Sequence, residues 1–137
     1  MLTKQISVLI DNRPGRLAGV TAALRDAGVN IRAISMADAP DFGIFRLVVD
    51  DTTRALQAVR EAGFLAEVSD VVAVELVDRP GSLAAVLEVL SRGQVNIEYM
   101  YASLAEEAGK AVVYLRFEDS LRAAAVLRDG GARILQS

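Results

Sequence analysis

Hydrophobic and polar positions alternate along the first stretch of the chain, Lys4 to Ile10, with Ile6, Val8 and Ile10 on one side and Gln5, Ser7 and Leu9 on the other. A period of two over that length predicts a strand. After Arg13-Pro14-Gly15 the period lengthens. Leu17, Val20, Thr21 and Leu24 stand at i, i+3, i+4 and i+7, and Gly28 supplies a stop, which together predict an amphipathic helix with its apolar face on those four positions. Val29 to Ala37 returns to a strand pattern, and Asp38-Ala39-Pro40-Asp41 marks a turn. Phe42 to Asp50 alternates again, with Phe45, Leu47 and Val49 on one side. Asp51-Thr52 opens a second helix that carries Ala55, Leu56, Val59 and Ala62 up to Gly63, and Phe64 to Val68 closes the series as a short strand.

The same order then runs a second time. Val71 to Val77 is a strand, Gly81 to Arg92 a helix, Val95 to Ser103 and Lys110 to Glu118 strands, Ser120 to Arg128 a helix and Ala132 to Leu135 a strand, with Leu83, Val86, Leu87 and Leu90 repeating the first helix's apolar face. One stretch repeats almost literally: Asn12-Arg13-Pro14-Gly15-Arg16-Leu17 is answered 66 positions later (78 − 12) by Asp78-Arg79-Pro80-Gly81-Ser82-Leu83. Asn30-Ile31 is answered by Asn96-Ile97 at the same offset (96 − 30). From the third strand onward the offset is 68, because the second copy has two extra residues in the loop Leu104 to Gly109, where Glu106-Glu107 stands in place of the Pro40 turn. The second copy also carries Arg92-Gly93-Gln94, with its helix-ending glycine one position earlier than Gly28, which sets the two copies apart.

A tandem repeat of this kind divides the chain into units at residues 1–69 and 70–137. Right-handed crossovers and short connections leave few topologies for a βαββαβ order. The expected fold is α+β: two tandem ferredoxin-like units, each a four-stranded antiparallel sheet with two helices on one face.

On these residues both units resemble ACT domains, the small ligand-binding modules attached to amino-acid-metabolism enzymes. Their hallmark is an apolar strand, [Asp/Asn]-Arg-Pro-Gly-x-Leu, a helix and [Val/Ile]-Asn-Ile. The resemblance covers nearly the whole chain and occurs twice in register. It implies a free-standing tandem ACT protein that is regulatory and not an enzyme, with an amino-acid effector at an interface between paired domains.

Composition narrows the picture. Of the 137 residues 53% are apolar but only 5% aromatic, so the core is expected to be Val, Leu, Ile and Ala. Units of this size bury only about 60% of their unfolded surface, so the halves are expected to pack together and the chain to form a homodimer. The formal net charge is −3, and 15 Lys and Arg are scattered among 18 Asp and Glu without a basic block, which argues against a nucleic-acid surface. The chain has no Cys and no His. That removes disulfides, thiolate metal sites, a Cys nucleophile, the commonest general base and the commonest metal ligand. No run is long enough to span a bilayer and the N-terminal apolar stretch is too short for a signal segment. The expectation is a soluble cytoplasmic protein with no catalytic residues, metal, cofactor or membrane partner.

The candidate chemistry lies in the repeated turn. Proline near a helix's first turn uses its fixed φ where no backbone donor is needed, glycine lets another group approach the main chain, and the helix's N–H groups and dipole favour a carboxylate. The competing explanation is that Arg-Pro-Gly merely starts a helix. With the resemblance added, the candidate ligand-binding residues are Asn12, Arg13, Pro14, Gly15, Arg16, Leu17, Asn30 and Ile31 in the first copy. In the second they are Asp78, Arg79, Pro80, Gly81, Ser82, Leu83, Asn96 and Ile97. Turn and Asn stand 18 positions apart in each copy (30 − 12; 96 − 78), with a helix roughly 18 Å long between them. One small molecule therefore touches both only if two units pair, Asn12 with Asn96 and Asp78 with Asn30, within one chain or between chains.

Other candidates favour structural roles. Asp50-Asp51 and Glu118-Asp119 precede helices and read as caps more readily than as paired carboxylates. Ser82 has no His partner in the chain for a nucleophilic triad. Tyr99 and Tyr101 share parity with Ile97 and are expected to pack. Ile44, Val48, Val112 and Tyr114 share the second sheet faces with Arg46 and Arg116, a half-apolar surface that predicts coverage. An interaction protein docking on a separate biosynthetic enzyme is the alternative function. An acylphosphatase-like hydrolase is disfavoured, because neither turn resembles the Gly-rich phosphate loop such an enzyme needs.

Overall fold

The computed structural model describes residues 2–38, 40–105 and 107–136. They form two compact units, one of Lys4–Ser69 and one running from Asp70 onward that takes in Leu2 and Thr3. Ala39 of the predicted Asp38–Asp41 turn and Glu106 of the predicted Leu104–Gly109 loop lie outside the described residues. Both units are α+β and ferredoxin-like. The elements in chain order are β1 (Thr3–Asp11), α1 (Arg16–Asp26), β2 (Ile31–Asp38), β3 (Phe42–Val49), α2 (Thr52–Glu61) and β4 (Leu65–Val77). They continue with α3 (Ser82–Arg92), β5 (Tyr99–Leu104), β6 (Lys110–Arg116), α4 (Ser120–Asp129) and β7 (Arg133–Leu135). The first unit's strands lie in the order β2-β3-β1-β4 and the second's in the order β5-β6-β4-β7. β1 meets β3 antiparallel with Val8 opposite Phe45, and β4 meets β6 antiparallel with Val74 opposite Val113.

Alternation explains the cores. Ile6, Val8 and Ile10 of β1 and Phe45, Leu47 and Val49 of β3 turn to the helices, where they meet Val20 and Leu24 of α1 and Ala55 and Val59 of α2. In the second unit Val72, Val74, Val113 and Leu115 meet Val86 and Leu90 of α3 and Ala123, Ala124 and Leu127 of α4. The first helix's predicted apolar face is half right. Val20 and Leu24 are fully buried, but Leu17 is 42% exposed. Thr21 is exposed too, its hydroxyl donating to the Leu17 and Ala18 carbonyls at 3.3 and 3.1 Å. A Thr satisfied by its own helix has no reason to leave water.

Two strand boundaries differ from the sequence reading. The predicted strands Phe64–Val68 and Val71–Val77 are one element of 13 residues, β4. Ser69-Asp70 between them holds neither Gly nor Pro, so nothing there forces a turn. The strand predicted from Val95 begins only at Tyr99. Asn96 to Glu98 is irregular, which breaks the alternation: Ile97 packs against the second core, while Tyr101 pairs with Tyr114 on the sheet's other face. Their ring centroids are 5.3 Å apart and their planes 21° from parallel. Ile97 and Tyr101 therefore do not share a side as simple parity predicts. Val112 and Tyr114 are buried on that other face, and Val48 is buried on the corresponding face of the first unit's sheet.

The displaced glycine does not move the helix stop. α3 ends at Arg92 and α1 at the equivalent Asp26. Gln94, at φ +55°, takes the left-handed conformation that Gly28 takes at φ +70° in the first unit. Gly93 stands where it does for packing, since a Cβ there would lie 2.6 Å from Val126 Cγ1. Gly130 is its counterpart: a Cβ would lie 2.4 Å from Val89 Cγ1 and 2.8 Å from Cγ2. The corresponding first-unit positions are Ala27 and Ala58, and Ala62 and Ala23, so the second unit exchanges Ala–Ala contacts for Gly–Val ones at similar total volume. Gly130→Ala, whose φ of −83° suits any residue, is expected to cost about 1–2 kcal/mol by overpacking. Adding Val89→Ala should recover most of that loss in a urea titration, and a double variant no more stable than the single one would contradict the exchange.

Among the described residues, no helix is long and apolar enough to cross a membrane.

Candidate functional site

Both Arg-Pro-Gly stretches are type II turns. The Arg16 N–H donates to the Arg13 carbonyl and the Ser82 N–H to the Arg79 carbonyl, each at 3.4 Å. Gly15 and Gly81 hold φ/ψ of 86°/−7° and 90°/−13°. Proline at the second turn position and a left-handed residue at the third are the requirements of this turn. Pro14 and Pro80 thus precede the helix and do not sit in its first turn, and the glycines occupy the N-cap positions. Glycine is demanded by its positive φ, not by a close neighbour: no atom lies within 4 Å of where a Cβ would stand at either position. The turn is therefore sufficient to explain Pro and Gly, and the space beyond it is open.

What sets these turns apart is the absence of a side-chain cap. Asp51 Oδ1 accepts from the Arg54 N–H and Asp119 Oδ1 from the Arg122 N–H, each at 3.1 Å, so α2 and α4 begin capped. No side chain caps α1 or α3. Each duplicated turn thus uses the N–H of its helix's first residue and leaves those of the next two, with the positive end of the dipole, without a side-chain cap.

The two copies differ in their charges. Asp11 at the end of β1 accepts from Arg13 Nε through one carboxylate oxygen and from Arg16 Nε at 2.6 Å through the other. Desolvation works against ionised Asp11, but the hydrogen bonds from Arg16 and Arg13, with the charges behind them, outweigh it and hold its carboxyl below its ordinary value. The Arg16 guanidinium also lies 4.5 Å over the Phe64 ring centroid. In the second copy Val77 and Ser82 replace Asp11 and Arg16, and the side chains of Arg79 and Ser82 make no ion pair or hydrogen bond among the described residues. The clue to this difference was present in sequence as a charged residue against an apolar one just before the repeat.

Asn12 is exposed and its amide donates to the Pro40 carbonyl at 3.3 Å. The Asn30 N–H donates to Asp50 Oδ1 at 3.0 Å, leaving its exposed side chain toward solvent, and Asn96 is exposed as well. Ile31 and Ile97 pack against the two cores, as does the half-buried Leu83, whereas Leu17 remains exposed. Asp78 is exposed. The first turn, with Asp11 to Gly15 and Leu17, lines a hollow of about 350 Å³ with Met36. In the second unit Arg79 and Ser82 line a hollow of about 450 Å³, and Asn96 lines another of about 830 Å³ with Arg116 and Arg122. Those two hollows share no residue, so the second unit does not bring its own turn and Asn together in either. Among the described residues no group of three or more acidic side chains is placed to hold a metal ion.

A family model described as an ACT domain pair matches residues 1–131. Protein BT0572 from Bacteroides thetaiotaomicron has a solved structure that is 35% identical to this chain, with a TM-score of 0.91 over 98% of this chain and 92% of that one. The ligand-free regulatory subunit of aspartate kinase from Thermus thermophilus shares the fold at 22% identity, with a TM-score of 0.67 over 94% of this chain and 92% of that one. The regulatory subunit of aspartate kinase from Thermus flavus shares it at 22% identity, with a TM-score of 0.58 over 96% and 94%. No curated protein matches the chain.

Proposed function

This chain belongs to the ACT domain pair family, and from that premise we propose that it is a non-catalytic cytoplasmic regulator that binds a free amino acid. The observation that carries this reading is the pair of uncapped helix starts behind Gly15 and Gly81, in a chain whose other two helices are capped by aspartates. A carboxylate is the acceptor that best suits such N–H donors. Asn12 and Asp78 flank the turns with an amide and a carboxylate that suit an ammonium group. Asn30 and Asn96 stand a helix away, so the ligand is completed by a second unit, and the chain works as a homodimer whose pairing the ligand favours through its differential affinity.

Thermal-shift screening of the full chain against the common amino acids tests this. One of them should raise the melting temperature in a concentration-dependent way, approaching about 2.7 kcal/mol of stabilisation at a hundredfold excess over Kd. Silence from all of them would remove the reading.

Exposed Leu17, Ile34 and Met36, at 42, 55 and 43%, favour a second reading in which the first unit docks on a separate biosynthetic enzyme. Retention of such an enzyme by a chain that responds to no amino acid would favour it over the first.

A further inference from the structure

The two units differ in the space between the first helix and the last strand. In the first unit two side chains fill it. Phe64 is 6% exposed, Arg16 stacks over its ring, and Gly19 makes room, since a Cβ there would stand 3.2 Å from Phe64 Cζ. The equivalent second-unit positions are Ala132, Ser82 and Ala85 (132 − 64 = 68; 82 − 16 and 85 − 19 = 66). The match is structural as well: the Phe64 N–H donates to the Val59 carbonyl at 3.2 Å and the Ala132 N–H to the Leu127 carbonyl at 2.9 Å. Removing a phenyl ring and a guanidinium leaves the hollow of about 450 Å³ that Ser82, Ala85 and Ala132 line. Its size falls within the range of small-ligand sites.

We infer that this groove binds an α-amino acid with a bulky apolar side chain, inside the second unit alone and without any paired copy. Charge placement identifies the head group. Arg79, Arg92 and Glu88 line the groove, and none of the three side chains makes an ion pair or hydrogen bond among the described residues. At the start of α3 the Arg79 guanidinium and the Ser82 hydroxyl suit a carboxylate, and Glu88, less than two turns further along, suits an ammonium group. The floor is apolar, formed by Val86 and Ala132. The first unit shows what fills such a space, a phenyl ring with a guanidinium over it, and in the second unit the ring has to come from outside. This site goes beyond the paired one proposed above, because Asn30 and Asn96 take no part in it.

Calorimetry on the full chain with L-phenylalanine, L-leucine and glycine tests it. Phenylalanine or leucine should bind and glycine should bind at least roughly tenfold more weakly, the loss expected from leaving an apolar pocket empty. Rebuilding the plug with Ser82→Arg, Ala85→Gly and Ala132→Phe should abolish that binding. Glu88→Gln, at an exposed position whose side chain makes no ion pair or hydrogen bond among the described residues, should weaken it whether or not the plugged chain folds, and Asn30→Ala with Asn96→Ala should leave it intact. Binding that survives the plug or Glu88→Gln unchanged overturns the groove, as does equal binding of glycine. Binding lost only in the Asn variants overturns the groove and supports the paired site. No binding of any amino acid overturns both.

Discussion

Phe117→Ala is expected to remove about 3–5 kcal/mol of stability, the largest loss from any single truncation considered. Phe117 is the largest fully buried side chain and 1% exposed, in a core with Leu90, Leu115 and Leu127. Its counterpart in the first unit is Val49 (117 − 68), so the second core depends on a ring where the first uses a smaller side chain. The chain has Phe at only four positions, which leaves little aromatic volume to reorganise into the cavity. Native proteins have about 5–15 kcal/mol in total, so the variant should lose a large share of its denaturation midpoint in guanidinium. Phe117→Leu, closer in volume, should cost under about 1.5 kcal/mol. An alanine variant losing less than about 1 kcal/mol would mean that the ring is not packed as described.

The fold was legible because it is written twice. Period-two and period-3.6 patterns put Val8, Phe45 and Leu24 on the apolar sides of their elements, where the structure gathers all three into one core, and the repeat supported each element by its second appearance. The errors fall where one residue type serves two structures. Val95-Asn96-Ile97 reads as a strand start by composition, yet the chain stays irregular until Tyr99. Leu17 fits the helical apolar face by spacing yet is 42% exposed, while Leu83 at the same position of α3 packs against its core. The candidate site was legible as a turn and not as chemistry. Pro14 and Gly15 follow from turn geometry alone, whereas the Asp11 clamp on Arg13 and Arg16 depends on side-chain directions that no periodicity encodes.

The repeats also show how a duplicated unit diverges without losing its fold. Gly93 and Gly130 came with Val126 and Val89, and the smaller partner in each pair compensates for the larger. Ser82, Ala85 and Ala132 carry no such compensation within the second unit, since the space that Phe64 and Arg16 fill in the first is left open. An uncompensated loss of volume next to charged groups is what a ligand site requires and what a core avoids.

Gly81→Val is expected to cost roughly 2–3 kcal/mol, because φ of +90° is unfavourable for any L side chain and worst for a β-branched one. No clash contributes, since the position where a Cβ would stand has no atom within 4 Å, so the loss is conformational and Gly15→Val should match it. Asparagine separates the turn's structural role from a binding role. It tolerates the left-handed region far better than other residues, so Gly81→Asn should melt close to the parent chain. Its amide, however, reaches into the open space before α3, where a cap would form and a ligand carboxylate would otherwise sit. A Gly81→Asn chain that keeps its melting temperature but loses the amino-acid-induced shift would assign the opening to the ligand. One that keeps both would show that the repeated glycine serves the turn alone.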